Sequence, residues 1–176
     1  MNHNAAFLLR APTEADIEAC IAIHCDERTN AFRPGGSPTA EEAAAYVPAW
    51  LAQWQAQGFG YCAVVRRADQ AVVGFGGITL REVGQHHGLN LYFRLIPEVW
   101  GQGLTRLIGE SAFRTAFIER EHERVLGLVR PANLPSRRAL ESLGLQAFDS
   151  TEDVPGEAPS LIYQILRKDF LASLSR

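Results

Sequence analysis

Leu89–Glu119, LNLYFRLIPEVWGQGLTRLIGESAFRTAFIE, is the stretch on which the rest of the chain hangs. Leu89 to Ile96 is largely apolar and lies between Gly88 and Pro97, the pattern of a buried strand. From Leu104 the period changes. Leu104, Leu107, Ile108, Ala112 and Ala116 recur at helical spacing, with Arg106, Glu110 and Arg114 on the opposite face. Between strand and helix sits Trp100-Gly101-Gln102-Gly103-Leu104-Thr105. The first turn of a helix has N–H groups without intrahelical partners, and the dipole makes that end positive. Glycines let a ligand come close to the backbone, so a phosphate is the natural guest. The alternative is that the two glycines only shape a tight turn.

Two phosphate loops fail the comparison. The mononucleotide loop needs Lys then Ser or Thr after its last glycine, and Gly103 is followed by Leu104-Thr105. The dinucleotide fingerprint needs a third glycine, which is missing.

The arrangement instead resembles the GNAT superfamily of N-acetyltransferases. Its pyrophosphate loop, Arg/Gln-x-x-Gly-x-Gly/Ala, falls on Trp100, Gly103 and Thr105, with the central glycine matching. Pro97-Glu98-x-Trp100-Gly101-x-Gly103 is similar to the variant in the branch that acetylates ribosomal-protein N-termini. Val129 to Leu145, VRPANLPSRRALESLGL, resembles that branch's Asn-x-x-Ser block, with Leu145 where Phe is usual. The resemblance runs from about Phe7 to Phe170 and is strong over Leu89 to Leu145.

It implies a mixed α/β fold: a mostly antiparallel central sheet with one splayed parallel strand pair, flanked by helices. It also implies acetyl-CoA. The pantetheine arm would pair with the backbone of Phe93, Leu95 and Ile96. The pyrophosphate would rest on the N–H groups of Gly101, Gln102, Gly103, Leu104 and Thr105. Asn133 reads both as a helix N-cap and as a contact to the cofactor arm. Ser136 matches the family serine, or is a first-turn serine bonded to local backbone. Arg106, Arg137 and Arg138 are candidates for the ribose phosphate or for a solvated face.

At 176 residues, with 47% hydrophobic and 21% charged content, the chain is expected to be one globular domain, residues 1–176. A net charge of -3 gives no basic footprint for nucleic acid. Cys20, Cys25 and Cys62 have no metal-ligand spacing and read as reduced thiols. No apolar run approaches the ~18 residues a membrane span needs. MNHNAAFLLRAPTEAD lacks the apolar core of a signal peptide. The expected setting is therefore cytoplasmic, without membrane or nucleic-acid partners, as a monomer or homodimer.

In chain order, Phe7–Ala11 reads as a first strand and Glu14–Glu27 as a helix capped by Thr13. Arg28–Pro38 reads as a loop. Thr39–Gln57 reads as a helix with a Thr39/Glu42 capping box, a break at Pro48 and a stop at Gly58. Its stripe of Tyr46, Val47, Trp50, Leu51 and Trp54 is either core or the lining of an acceptor channel. Gly60–Arg67 and Ala71–Leu80 form a hairpin, with Gly74, Gly76 and Gly77 marking a bulge or a close backbone approach. Arg81–Gly88 reads as a polar loop. Arg124–Val129, a helix from Asn133 to Gly144, strands from Gln146 and over Ser160–Leu166, an acidic loop Ser150–Pro159 and a short helix in Arg167–Arg176 complete the chain.

Acetyl transfer needs a deprotonated amine, a donor for the oxyanion and a proton for the leaving thiolate. The tyrosine that many relatives use as acid falls at Leu140, which leaves Ser136. The acid often found early in the central strand falls at Asn90. Glu82, His86, His87 and Tyr92 are the remaining base candidates, and Glu82, Tyr92 and Ser136 are the catalytic set expected here. No metal is expected. The expected activity is direct transfer of acetyl from acetyl-CoA to a primary amine, a small molecule or a protein N-terminus. The competing reading is a non-catalytic acyl-CoA-binding module.

Overall fold

The computed structural model describes residues 6–174. Seven strands form one sheet in the order β1-β2-β3-β4-β5-β7-β6. They are β1 (Phe7–Arg10), β2 (Tyr61–Arg66), β3 (Val72–Val83), β4 (His86–Leu95), β5 (Arg124–Val129), β6 (Gln146–Thr151) and β7 (Ser160–Leu166). β1/β2, β2/β3, β5/β7 and β6/β7 are antiparallel, whereas β4 and β5 run parallel. The helices are α1 (Ile17–Cys25), α2 (Ala40–Ala44), α3 (Tyr46–Gln57), α4 (Leu104–Phe113), α5 (Leu134–Ser142) and α6 (Arg167–Leu174). Ser175 and Arg176, the end of the expected terminal helix, lie outside the described residues.

The chain's contacts group into two units. The first holds the residues up to Gly77 together with Tyr92–Ile108, and the second holds Ile78–Leu91 with the residues from Gly109 on. The core of the first is Cys20, Ile23, Val47, Trp50, Tyr61, Ala63, Val65 and Phe75. This settles part of the stripe on α3: Val47 and Trp50 are buried, Tyr46 and Leu51 pack at the edge, and the Trp54 indole donates to the Tyr61 carbonyl at 2.8 Å. The break falls at Ala45, between α2 and α3. Pro48 lacks the N–H that would reach the carbonyl of Ala44, so the helix cannot run through that turn.

The second unit packs Val83, Leu126 and Ile162 together, and sets the Phe117 ring at a tilt against Phe113 and Phe170, with centroids at 5.7 and 5.1 Å. After Phe113 the helix widens into a π-type turn, Arg114–Glu119. That turn brings Ala116 and Phe117 to full burial.

Two expectations are corrected. Arg81–Gly88 is not a loop: β3 runs to Val83 and β4 starts at His86, leaving a turn at Gly84-Gln85. The polar residues lie on both faces of solvated hairpin arms, with Val83 buried among them. The acidic loop starts later than expected, because Ser150 and Thr151 still pair with Leu161 and Ser160.

Candidate acyl-donor and acceptor site

In the first unit, β4 is held tightly against β3. The Ile96 N–H donates to the Val73 carbonyl at 2.9 Å. Alternate residues of a strand turn their backbone groups to opposite edges. Tyr92, Arg94 and Ile96 are therefore directed at β3, and Phe93 and Leu95 at the other edge. A Cβ at Gly76 would stand 2.8 Å from the Tyr92 carbonyl oxygen, and one at Gly74 would stand 2.6 Å from the Arg94 oxygen. Only glycine allows this approach. The bulge lies between them and β2, where Val64 pairs with Gly74 but Val65 pairs with Val72.

After β4, Pro97–Val99 makes one tight turn. Trp100 is exposed, yet its indole N–H donates to the Leu95 carbonyl at 2.9 Å. That bond fastens the loop to the end of the strand and occupies one of the outward-directed carbonyls. Gly101 and Gly103 hold φ of +75 and +78, and a Cβ at either would meet nothing within 4 Å. Gly103 precedes Leu104, the first residue of α4, and has no side chain with which to cap it. The first bond of the helix is the Leu107 N–H to the Gly103 carbonyl, 3.1 Å. The loop is thus an open, left-handed backbone turn feeding a helix N-terminus, the geometry that accepts an anion.

On the inner side of the same unit lies a polar chain that sequence reasoning missed. His24 is 3% exposed, and its ring is ringed by Tyr46, Trp50, Phe75 and Tyr92 at 5.1 to 6.4 Å. Its Nδ1–H donates to the Cys20 carbonyl at 2.8 Å, which leaves Nε2 as the acceptor for the Tyr92 hydroxyl, also 2.8 Å. Arg94 Nε donates to that hydroxyl at 3.1 Å. The Arg94 guanidinium also reaches the Thr29 carbonyl and Asn30 Oδ1, at 2.9 and 2.6 Å. Burial pushes the His24 pKa down to about 4; the bond to Cys20 opposes this, and the charges of Arg94 and Arg33 add to it. Burial likewise pushes Tyr92 up to about 12, against the pull of Arg94. The Tyr92 proton is spent on His24, so the residue fixes the strand rather than taking a proton. The available signal was Cys20 and His24 four apart on the apolar side of α1.

The second unit holds the other candidates. Glu82 and His87 pair at 2.6 Å on the exposed hairpin, and His86 pairs with Asp149 at 2.7 Å beside Phe148. Among the described residues no cluster of three or more His, Cys, Asp or Glu is placed to hold a metal ion. The parallel ladder matches Leu89 with Val125 and Asn90 with Leu126. Among the described residues it does not continue to Leu91 and Gly127. Asn90 is 4% exposed at this point; its amide N donates to the Leu91 carbonyl at 3.3 Å, and its Oδ1 has no partner.

Asn133 caps α5, its Oδ1 accepting the Ser136 N–H at 3.1 Å. Arg137 is committed elsewhere, with Nε on the Tyr163 hydroxyl at 3.2 Å and a second nitrogen on the Pro131 carbonyl. Leu140 is buried, so no acid stands at that position.

Comparison with known proteins bears on the family and the fold. The family model for the acetyltransferase (GNAT) domain matches residues 6–146. An acetyltransferase of the GNAT family from Bacillus anthracis is similar in structure with a TM-score of 0.72 and 20% identity, over 93% of this chain and 96% of that one. The ribosomal-protein-S5-alanine acetyltransferase from Vibrio fischeri gives 0.71 and 16%, over 93% and 94%. An aminoglycoside acetyltransferase in complex with coenzyme A gives 0.73 and 18%, over 96% and 99%.

Proposed function

The chain belongs to the GNAT acetyltransferase family, whose acyl donor is acetyl-CoA, and on that premise we propose that it transfers the acetyl group by direct attack of a primary amine, either a small molecule or a protein N-terminus. The observation that carries the reading is the open turn at Gly101 and Gly103 ahead of α4. Gly101, Gly103, Leu104 and Thr105 would hold the diphosphate through backbone N–H groups, where helix dipole and N–H direction both favour an anion; the Gln102 N–H, expected to join them, is given to the Val99 carbonyl at 3.4 Å.

The donor supplies the activated thioester. The strand supplies a rail: the backbone groups of Phe93 and the N–H of Leu95 are directed away from β3, while Ile96 has already given its N–H to Val73. An N–H of that edge is the donor assigned to the developing oxyanion, an interaction that strengthens in the transition state. Asn133 would orient the cofactor arm, and the Ser136 hydroxyl is assigned to the leaving thiolate. The Tyr92–His24–Arg94 chain holds the rail in register, and the proton leaves through water. The aromatic edge of α3, Tyr46 and Trp54, is the assigned wall for the acceptor.

Release of free CoA thiol with a panel of peptide N-termini, aminoglycosides, polyamines and amino acids tests this. Intersecting initial-velocity lines are expected; parallel lines would show an acetyl-enzyme and refute direct attack. A second reading, a non-catalytic acyl-CoA-binding module, is favoured by Leu140 and Asn90 standing where relatives carry an acid. It predicts CoA binding without thiol release for any amine.

A further inference from the structure

Arg94 carries a charge that the first unit surrounds but does not neutralise. It stands on β4 between Phe93 and Leu95, the residues whose backbone is assigned to the donor arm. Its Nε donates to the Tyr92 hydroxyl at 3.1 Å, and Nη1 donates to the Thr29 carbonyl, Thr29 Oγ1 and Asn30 Oδ1 at 2.9, 3.0 and 2.6 Å. All these acceptors are uncharged. Among the described residues Nη2 makes no hydrogen bond, and no carboxylate pairs with this guanidinium. The acids on the adjoining turns, Asp26 and Glu98, are both spent on Arg28, at 2.6 and 2.8 Å. Arg33 brings a second cation to the same place. Beyond burial, the charges of Arg94 and Arg33 both help hold the His24 ring neutral, so both guanidinium groups lie near that ring. Arg33 is exposed and Arg94 half-buried, so the pair of charges leads from the surface inward.

We propose that Arg94, with Arg33 on its exposed side, is the receptor for a carboxylate carried by the acceptor amine. The inference rests on the transferase reading above and names its substrate class: an amino acid, or an N-terminus followed by an acidic residue. A cation drawn part-way out of water without a counter-ion is costly, and an anion removes that cost. The two N–H groups of Nη2 remain to make charge-assisted bonds to a carboxylate oxygen. The bonds from Nε and Nη1 hold the guanidinium in place before the substrate arrives, so its ordering cost is already met. The same side chain thus braces the strand through two nitrogens and binds through the third. A polyamine or an aminoglycoside, which brings further positive charge, meets like charge here and is selected against.

The test uses the full chain, acetyl-CoA, and pairs of amines that differ only in the carboxylate: glycine, β-alanine and γ-aminobutyrate against their amides, and Ala-Glu-amide against Ala-Gln-amide. The first three pairs vary the spacing between amine and carboxylate; the last puts the carboxylate on a peptide side chain. Rates are referred to the neutral fraction of each amine. Wild-type kcat/KM is expected to favour the acid of at least one pair by about tenfold or more, the worth of a hydrogen bond to a charged group. In Arg94→Gln that preference should vanish through a higher KM for the acid. A merely structural arginine would lower both members of a pair by the same factor. Arg33→Gln should cut the preference about two- to fivefold, and it carries the test if Arg94→Gln does not fold. Arg28→Gln, whose charge is spent on Asp26 and Glu98, should leave the preference as it is. Calorimetric titration of the same pairs into CoA-loaded protein reads the site without turnover. Equal rates and affinities within every wild-type pair, a preference unchanged in Arg94→Gln (or in Arg33→Gln where the first does not fold), or one lost equally in Arg28→Gln overturns this inference alone. No thiol release from wild type with any amine overturns the transferase reading; a calorimetric preference for acids that is lost in Arg94→Gln then still upholds the carboxylate site.

Discussion

Replacing Gly103 by alanine separates a strained turn from a ligand cradle, because the molecule contains its own control. Gly103 and Gly156 hold φ of +78 and +79, and a Cβ at either would meet no heavy atom within 4 Å. A left-handed alanine costs roughly 1–2 kcal/mol at each. For a chain of this length each kcal/mol lowers Tm by about 2–4 °C, so both variants should lose about 2–8 °C. Only Gly103 precedes α4, so on the proposed reading only there would the new methyl crowd a diphosphate at the first-turn N–H groups. A hydrogen bond to a charged group is worth about 1.5–3 kcal/mol, so losing one weakens CoA binding by roughly 10- to 150-fold. Calorimetric titration should show that loss in Gly103→Ala and wild-type affinity in Gly156→Ala. Pantetheine, which lacks the diphosphate, should bind both variants alike. Equal CoA affinity in the two variants would refute the cradle.

Two further outcomes follow from titrating groups. His24 is held neutral, with a folded pKa of about 4 against an ordinary 6.5, so the unfolded chain takes the proton first. Its contribution to stability is complete above pH 6.5 and lost as pH falls toward 4, about 3 kcal/mol across the window. Urea unfolding at pH 7.5 and 4.5 should show a smaller acid loss in His24→Gln than in wild type, since Gln keeps an acceptor for Tyr92 without a basic ring. Burial pushes the Cys62 thiol up to about 11. Roughly one molecule in ten thousand is then thiolate at neutral pH. Mass spectrometry after incubation with acetyl-CoA alone should find Cys62 unacetylated, and Cys62→Ser should keep the wild-type kcat.

The strand–glycine–helix pattern from Leu89 to Glu119 was readable because its signals are local: an apolar run, two glycines and a change of period. The same holds for the caps at Thr39 and Asn133, where a side chain answers a backbone group three residues away. The hairpin from Arg81 to Gly88 reads as a loop in sequence because its arms are solvated; pairing, not burial, keeps those residues extended. The link from His24 to Tyr92 spans 68 positions, and no periodicity records a bond of that reach. Asn90 was visible as a polar residue in an apolar strand, but that its oxygen lacks a partner is a property of packing alone. Arg137 shows the converse: its charge fits a ribose phosphate or a solvated face, and the fold gives it to Tyr163.

The seam of Gly74 and Gly76 against β4 bears on how this molecule could be re-engineered. One methyl at Gly76 presses on the carbonyl of Tyr92, so a change there displaces the rail and disturbs every acceptor at once. On the half-buried edge of α3, Trp54 is tied to backbone, bonding the Tyr61 carbonyl and lying 2.9 Å from where a Cβ at Gly60 would stand, whereas Tyr46 and Leu51 only pack at the margin of the core. On the proposed reading, randomised libraries seeking new amine preferences belong at Tyr46, with Trp54 and the glycine seam kept invariant as the chassis.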